Sequence, residues 1–82
     1  MEGLARGRHV IFTDQSGLEH IAIVVNIYDA ETGEVAMYVF APPKEATVDL
    51  KGAGDAVIVQ GLPYVRAKYG EGKWTWAWPK KN

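Results

Sequence analysis

Apolar residues alternate with other residues along most of the 82-residue chain, and this alternation constrains the fold more than any other feature. A period of two is typical of β-strands, and the apolar spacing typical of a helix is sustained nowhere. The polar segment 44–55 is predicted to be a long loop with a short edge strand at 47–50. The remaining predicted strands cover residues 8–13, 18–28, 35–41, 56–60, 64–69 and 73–78.

The length of the chain predicts a single domain, residues 1–82, with one thin hydrophobic core. Short antiparallel strands close most economically into a barrel, because closure removes exposed sheet edges. We therefore predict an all-β fold, a small antiparallel barrel of five or six strands of the SH3-like or OB-like kind. Residues 1–6 and 80–82 are predicted to be flexible ends.

Cysteine is absent, so neither a disulfide nor a thiolate metal site can form. The basic N-terminal residues are not followed by an apolar run long enough for a signal peptide, and no stretch approaches the roughly 20 apolar residues of a membrane span. These features predict a cytoplasmic protein without membrane contact. Because so small a core leaves much surface exposed, we expect a homo-oligomer.

The net charge of −1 conceals a segregation of charge along the chain. Residues 1–55 hold four basic and nine acidic side chains, whereas residues 56–82 hold five basic side chains and one acidic one. The basic residues therefore accompany the three tryptophans at positions 74, 76 and 78. Such segregation is compatible with an anion-binding face or with self-association between opposite charges.

The first two strands are predicted to form a hairpin that turns at DQSG, residues 14–17. In the predicted register, the numbers of opposed residues sum to 31, and His9 and His20 share the face opposite the core. That face is mixed in character, which suits a contact surface. The core face is then formed by Val10, Phe12, Ile21, Ile23, Val25 and Ile27.

The alternate tryptophans of KWTWAW (73–78) have two interpretations, which depend on the length of the predicted turn at GEG (70–72). A loop of three residues places them opposite Tyr64, Arg66 and Lys68, as one continuous cationic and aromatic face. A loop of two or four residues makes them core or subunit interface, with the two basic side chains pointing outward. The size of three indole rings favours the second interpretation.

The sequence contains no recognisable catalytic constellation. Its one serine, Ser16, is not in a nucleophile elbow. His9 and His20 have no third metal ligand at a recognisable spacing, and the segment 70–73 does not have the phosphate-loop pattern. We predict no catalytic residue, metal site or cofactor, and binding is favoured over enzymatic activity.

The runs GRHVIFTD, VAMYVFAPP and TWAWP follow one another in order from Gly7 to Pro79. Together they resemble a group of short, uncharacterised proteins of tailed phages and prophages that begin G-R-x-V-h-[YF]-x-D and end T-W-H-W-P. Ala77 stands where that group usually has histidine. The resemblance implies a virus-encoded accessory protein in the bacterial host cytoplasm, with an SH3-like barrel and no established activity.

Some small phage proteins act as sponges for the nucleotide signals of bacterial immunity, and this chain is similar to them in kind. That similarity implies an oligomeric binding protein that sequesters a small phosphorylated nucleotide-type host signal. The alternatives are a protein-interaction or virion-assembly module, which would use the face with His9 and His20, and a single-stranded nucleic-acid binder, which the net charge disfavours. The residues expected to bind the nucleotide are Arg66, Lys68, Trp74, Trp76, Tyr64 and Arg8.

Overall fold

The computed structural model describes residues 1–40, 50 and 56–80. Among these residues it contains no helix, and hence none long and apolar enough to cross a membrane. The predicted edge strand at 47–50 lies, except for Leu50, outside the described residues. The six strands are β1 (His9–Thr13), β2 (Glu19–Asp29), β3 (Glu34–Phe40), β4 (Ala56–Val59), β5 (Leu62–Tyr69) and β6 (Thr75–Ala77).

Five of these strands close into a barrel in the order β1–β2–β3–β5–β6, and β4 pairs with β5 as an additional strand. The prediction of an all-β fold with a small SH3-like or OB-like barrel is confirmed. Its wholly antiparallel character is wrong, because β5 and β6 run parallel, with Lys68 opposite Thr75 and Tyr69 opposite Trp76. The barrel is therefore mixed.

The segment between β5 and β6 explains why no hairpin forms at residues 70–72. Gly72 and Trp74 have positive φ angles of 97° and 60°, so the backbone turns within this short segment and the next strand continues in the same direction as β5. The amide of Trp74 donates to the carbonyl of Thr13 at 2.8 Å, which holds the start of β6 beside β1. Both registers considered for an antiparallel hairpin are therefore wrong.

The first hairpin forms where it is predicted, but with a register shifted by one residue. His9 lies opposite Ile23 and Phe12 lies opposite His20, so opposed numbers sum to 32. The loop comprises only residues 15–17, with Gly17 at a φ of 90°, and such a three-residue loop ends in a residue of left-handed conformation. A shift of one residue exchanges the two faces of a strand. Ile21 is consequently exposed, while His20, Ala22 and Val24 point into the barrel.

The core fills the interior of the barrel with aliphatic side chains around a single buried indole. Trp76 is fully buried, and its Nε1 donates to the carbonyl of Gly33 at 2.6 Å. Gly33 has a φ of 75°, and a Cβ atom there would lie 2.6 Å from the Cβ of Tyr69, so only glycine allows this approach. The buried residues of the cluster are Val10, Phe12, Ala22, Val24, Val35, Met37, Val39, Val65, Ala67 and Trp76.

The other two tryptophans are half-buried and pack against this cluster. The prediction that the tryptophans are mainly core is thus correct for Trp76 and partly correct for Trp74 and Trp78. The antiparallel hairpin from which it was argued does not form, because β5 and β6 are parallel. At the N-terminus, Leu4 packs against the core and the ammonium of Met1 donates to the carbonyl of Ala30 at 2.8 Å. Residues 81–82 lie outside the described residues.

Candidate functional site

Three tyrosines and one arginine lie together on the outer surface of β2, β3 and β5. Tyr38 lies opposite Tyr64 across the β3–β5 pair, and their rings meet edge to face with centroids 5.2 Å apart. The guanidinium carbon of Arg66 lies 4.0 Å from the ring centroid of Tyr28. We call Tyr28, Tyr38, Tyr64 and Arg66 the tyrosine–arginine cluster, and it is the candidate site.

Arg66 is held in place by an ion pair as well as by this ring. Its Nε donates to Oε2 of Glu34 at 2.6 Å, and 44% of the Arg66 side chain remains exposed to solvent. A pair so exposed contributes only about 0–1 kcal/mol to stability. The bond uses one of the N–H donors of the guanidinium, and the others have no partner among the described residues. The ion pair therefore orients Arg66 without occupying its whole fork of donors.

Hydrogen bonds also set the pKa values of two groups near the cluster. A side-chain hydrogen bond with Tyr28, together with burial, raises the pKa of Tyr64 above its usual value of 10.0. The backbone amides of Glu31 and Thr32 donate to Asp29 and lower the pKa of its carboxyl from 3.8, with a smaller contribution from the charge of Lys68. Tyr64 thus remains a hydroxyl donor at neutral pH, and Lys68 has an acidic neighbour.

The structure brings together three of the residues expected to bind a ligand. These residues, Tyr64, Arg66 and Lys68, occupy every second position of β5 and point away from the core. The outward direction of the two basic side chains agrees with the interpretation in which the tryptophans are core or interface. Arg8 lies elsewhere, with its guanidinium carbon 5.3 Å from the ring centroid of Trp78. No contact links Arg8 to the cluster among the described residues.

Both tryptophans expected to stack on a ligand contribute to the structure of the barrel. Trp76 is fully buried, so it offers no ring face to a ligand, and its assignment to the binding surface is wrong. Trp74 is half-buried, packs edge to face with Phe12 at a centroid distance of 5.0 Å, and donates from Nε1 to the carbonyl of Arg66 at 3.0 Å. Trp74 therefore supports the strand that carries Arg66.

The two histidines do not share a face, so the predicted contact surface containing both is wrong. His9 is exposed, whereas His20 is buried and its Nε2 lies 2.7 Å from Oδ2 of Asp14. The other carboxylate oxygen of Asp14 accepts hydrogen bonds from the amides of Ser16 and Leu18 and from the Ser16 hydroxyl. The one-residue shift of register separates the histidines, and the Asp14–His20 pair fixes the turn between β1 and β2.

Sequence reasoning missed Tyr28, Tyr38 and Glu34. Tyr38 and Glu34 come close to Arg66 because β3 pairs with β5, which places Tyr38 opposite Tyr64. Tyr28 follows because β2 pairs with β3. β3 and β5 are separated in sequence by the segment 41–61, and no local pattern in the chain predicts their pairing. Had this pairing been known, the alternation along β3 would have placed Tyr38 and Glu34 on the side of Arg66.

A separate groove of about 280 Å³ lies on the outer side of β1 and β6. Its two charged residues, Glu19 and Lys80, are opposite in sign, so the groove has no net charge with which to attract an anion. None of the tyrosine–arginine cluster lines it. The lining residues are Ile11, Thr13, Glu19, Ala77, Trp78, Pro79 and Lys80.

In the part of the chain that the structure describes, no group of three or more histidine, aspartate or glutamate residues is arranged to hold a metal ion. The tyrosine–arginine cluster, with its cation and aromatic rings in contact, is therefore the candidate binding site. Comparisons of the chain with protein-family models, with curated proteins and with solved structures gave no match.

Proposed function

We propose that the protein acts by binding, and that its ligand is a small phosphorylated nucleotide-type molecule held at the tyrosine–arginine cluster. The observation that carries this proposal is the position of Arg66, which lies 4.0 Å above the ring of Tyr28 while much of its side chain stays exposed. Lys68 is exposed two residues further along the same strand. Two cations and an accessible aromatic ring therefore share one surface.

Each group of the cluster matches one part of such a ligand. A guanidinium can form two parallel hydrogen bonds to a phosphate, and an ammonium adds a second positive charge. Aromatic rings stack on bases of any sequence, and Tyr28 is exposed enough to do so. Glu34 opposes the binding of an anion, because its carboxylate neutralises part of the charge on Arg66. Its removal should therefore strengthen binding.

The resemblance to small phage proteins supports a cellular role for this binding, namely the sequestration of a host nucleotide signal. Sequestration requires stoichiometric capture and no turnover, so an open surface on the outside of a barrel is sufficient.

Substituting Arg66 with alanine should weaken nucleotide binding by about 10- to 100-fold, because hydrogen bonds to charged groups contribute about 1.5–3 kcal/mol. Glu34→Gln should strengthen it. Titration calorimetry with a panel of cyclic and linear nucleotides measures both changes. Arg8→Ala is the matched control, since Arg8 also lies over an aromatic ring but outside the cluster.

Two results would contradict the proposal: no nucleotide of the panel binds, or Arg8→Ala is as harmful as Arg66→Ala. Binding of a single-stranded oligonucleotide with a steep dependence on salt would favour the nucleic-acid alternative instead.

A protein-interaction module is the second candidate, and a separate observation favours it. On the outer side of β1, β2 and β3, Ile11 lies opposite Ile21, and Ile21 lies opposite Phe40. Ile21 is 55% exposed and Phe40 is 39% exposed, so large apolar side chains adjoin one another in contact with solvent. Contiguous apolar surface of this kind marks interaction sites when it is large enough.

Ile21→Lys should abolish the capture of a specific host or viral protein if this second candidate is correct. Cross-linking followed by mass spectrometry, with the wild-type protein and the variant as baits in infected cells, makes the comparison. Leu18→Lys is the control, because Leu18 is exposed to a similar degree but lies in the turn before β2. Identical sets of cross-linked proteins from both variants would contradict this candidate.

A further inference from the structure

β4 is the one strand of the described sheet that has a neighbour on a single side. Each of the other five strands pairs with strands on both of its sides, because they close the barrel. β4 pairs only with the first half of β5, from Ala56 opposite Val65 to Val59 opposite Leu62. Among the described residues, its second edge therefore has no strand beside it, and such an edge is a template for pairing with another chain.

The sequence of β4 does nothing to prevent such pairing. Proteins usually protect an edge strand with lysine, proline, an inward-pointing charge or a bulge. β4 has the sequence AVIV, so it contains no lysine, no proline and no charged side chain, and its pairing with β5 has no bulge. Val57 is 57% exposed and Ile58 is 59% exposed, and the two point to opposite sides of the sheet. Both sides of this edge are thus apolar and accessible.

We propose that β4 pairs antiparallel with β4 of a second copy of the chain across a two-fold axis, so that the sheets of two barrels become continuous. The composition of the strand argues for a second copy. All four positions are apolar, so every antiparallel register of the strand with itself places an apolar residue opposite an apolar residue. With no charge in β4, neither an acidic nor a basic peptide would find a complementary partner there.

The two-fold arrangement also makes each contact twice, as an isologous interface requires. Because each strand contributes only four residues, the contact belongs to the small class that buries less than about 1,200 Å². We therefore expect a dimer that dissociates on dilution. This inference does not depend on nucleotide binding, since β4 contains no residue of the tyrosine–arginine cluster.

Sedimentation velocity over a range of protein concentrations tests the dimer. Ile58→Lys and Val57→Lys should each raise its dissociation constant at least about tenfold, because a charged side chain on an edge opposes pairing. Leu18→Lys should leave it unchanged, since Leu18 is 51% exposed but lies in the turn before β2 and is not part of β4. Circular dichroism confirms that each variant keeps the fold.

Hydrogen exchange gives a second readout that only strand pairing changes. Amides of residues 56–59 should become more protected as the wild-type concentration rises, and should not do so in Ile58→Lys. A wild-type protein that is monomeric at every concentration would overturn the proposal. So would a dimer with unprotected β4 amides, or one that withstands both β4 substitutions and is broken by Ile21→Lys. If one β4 variant fails to fold, the proposal is tested by the other variant and by the hydrogen exchange of the wild-type protein.

Discussion

Substituting His20 with alanine should lower the free energy of unfolding by about 1–3 kcal/mol, because it removes the buried hydrogen bond between the His20 ring and Oδ2 of Asp14. Asp14 has no exposed surface, and its Oδ2 lies 2.7 Å from Nε2 of His20. Nδ1 of His20 has no hydrogen-bond partner among the described residues, so its removal offsets a little of this loss. Small domains are stable by only about 5–15 kcal/mol in total, so the change is a large one.

Urea denaturation followed by tryptophan fluorescence measures this loss. His9→Ala is the matched control: His9 is exposed on the outer surface, so its loss should change stability by no more than about 0.5 kcal/mol. Equal effects of the two substitutions would show that the Asp14–His20 pair does not hold the first hairpin together.

Substituting Trp76 with alanine should also cost about 3–5 kcal/mol, since truncating a fully buried tryptophan leaves a cavity in the core. The indole packs edge to face against Tyr69 and Trp78, with centroid distances of 5.0 and 5.1 Å. It also satisfies the buried carbonyl of Gly33. Trp76→Phe separates these contributions, because it keeps much of the packing and loses the hydrogen bond, at about 1–3 kcal/mol.

The same denaturation experiment ranks the three tryptophans. Trp78→Ala should be clearly less harmful than Trp76→Ala, because Trp78 is only half-buried at the edge of the core. If Trp78→Ala proved the more harmful, the indole at position 78 would be the centre of the core, and the pairing of β6 described above would be wrong.

The sequence predicts the strands of this protein well, and it predicts their pairing poorly. Alternation is a local property, so β1, β3 and β5 lie within a few residues of their predicted positions. The register of the β1–β2 hairpin depends on the length of its loop, and that length depends on the hydrogen bonds of Asp14. Its side chain accepts hydrogen bonds from two amides of the turn, which favours a loop of three residues over the even-numbered alternatives. A buried aspartate cannot be distinguished from a solvated turn residue by composition alone.

For the candidate site, too, the sequence predicts the residues of one strand but not the residues that strand pairing brings beside them. Arg66, Lys68 and Tyr64 could be identified because they alternate along one strand. Tyr28 and Tyr38 could not, because only the closure of the barrel brings β2 and β3 to that strand. Segregation of charge directed attention to the C-terminal third, but it could not show that Glu34 from the acidic part of the chain would pair with Arg66.

The position of β6 between β1 and β5 has a consequence for folding kinetics. Trp76 lies opposite Phe12, so the strand that completes the barrel meets a partner 64 positions earlier in the chain. Local hairpins such as β1–β2 form within microseconds, whereas contacts between distant segments must first overcome the entropy of loop closure. During synthesis, the ribosome must release the residues of β6 before the core can be sealed. Until then the nascent chain exposes the apolar interior of an open sheet, and it is in this interval that chaperones and aggregation compete for it.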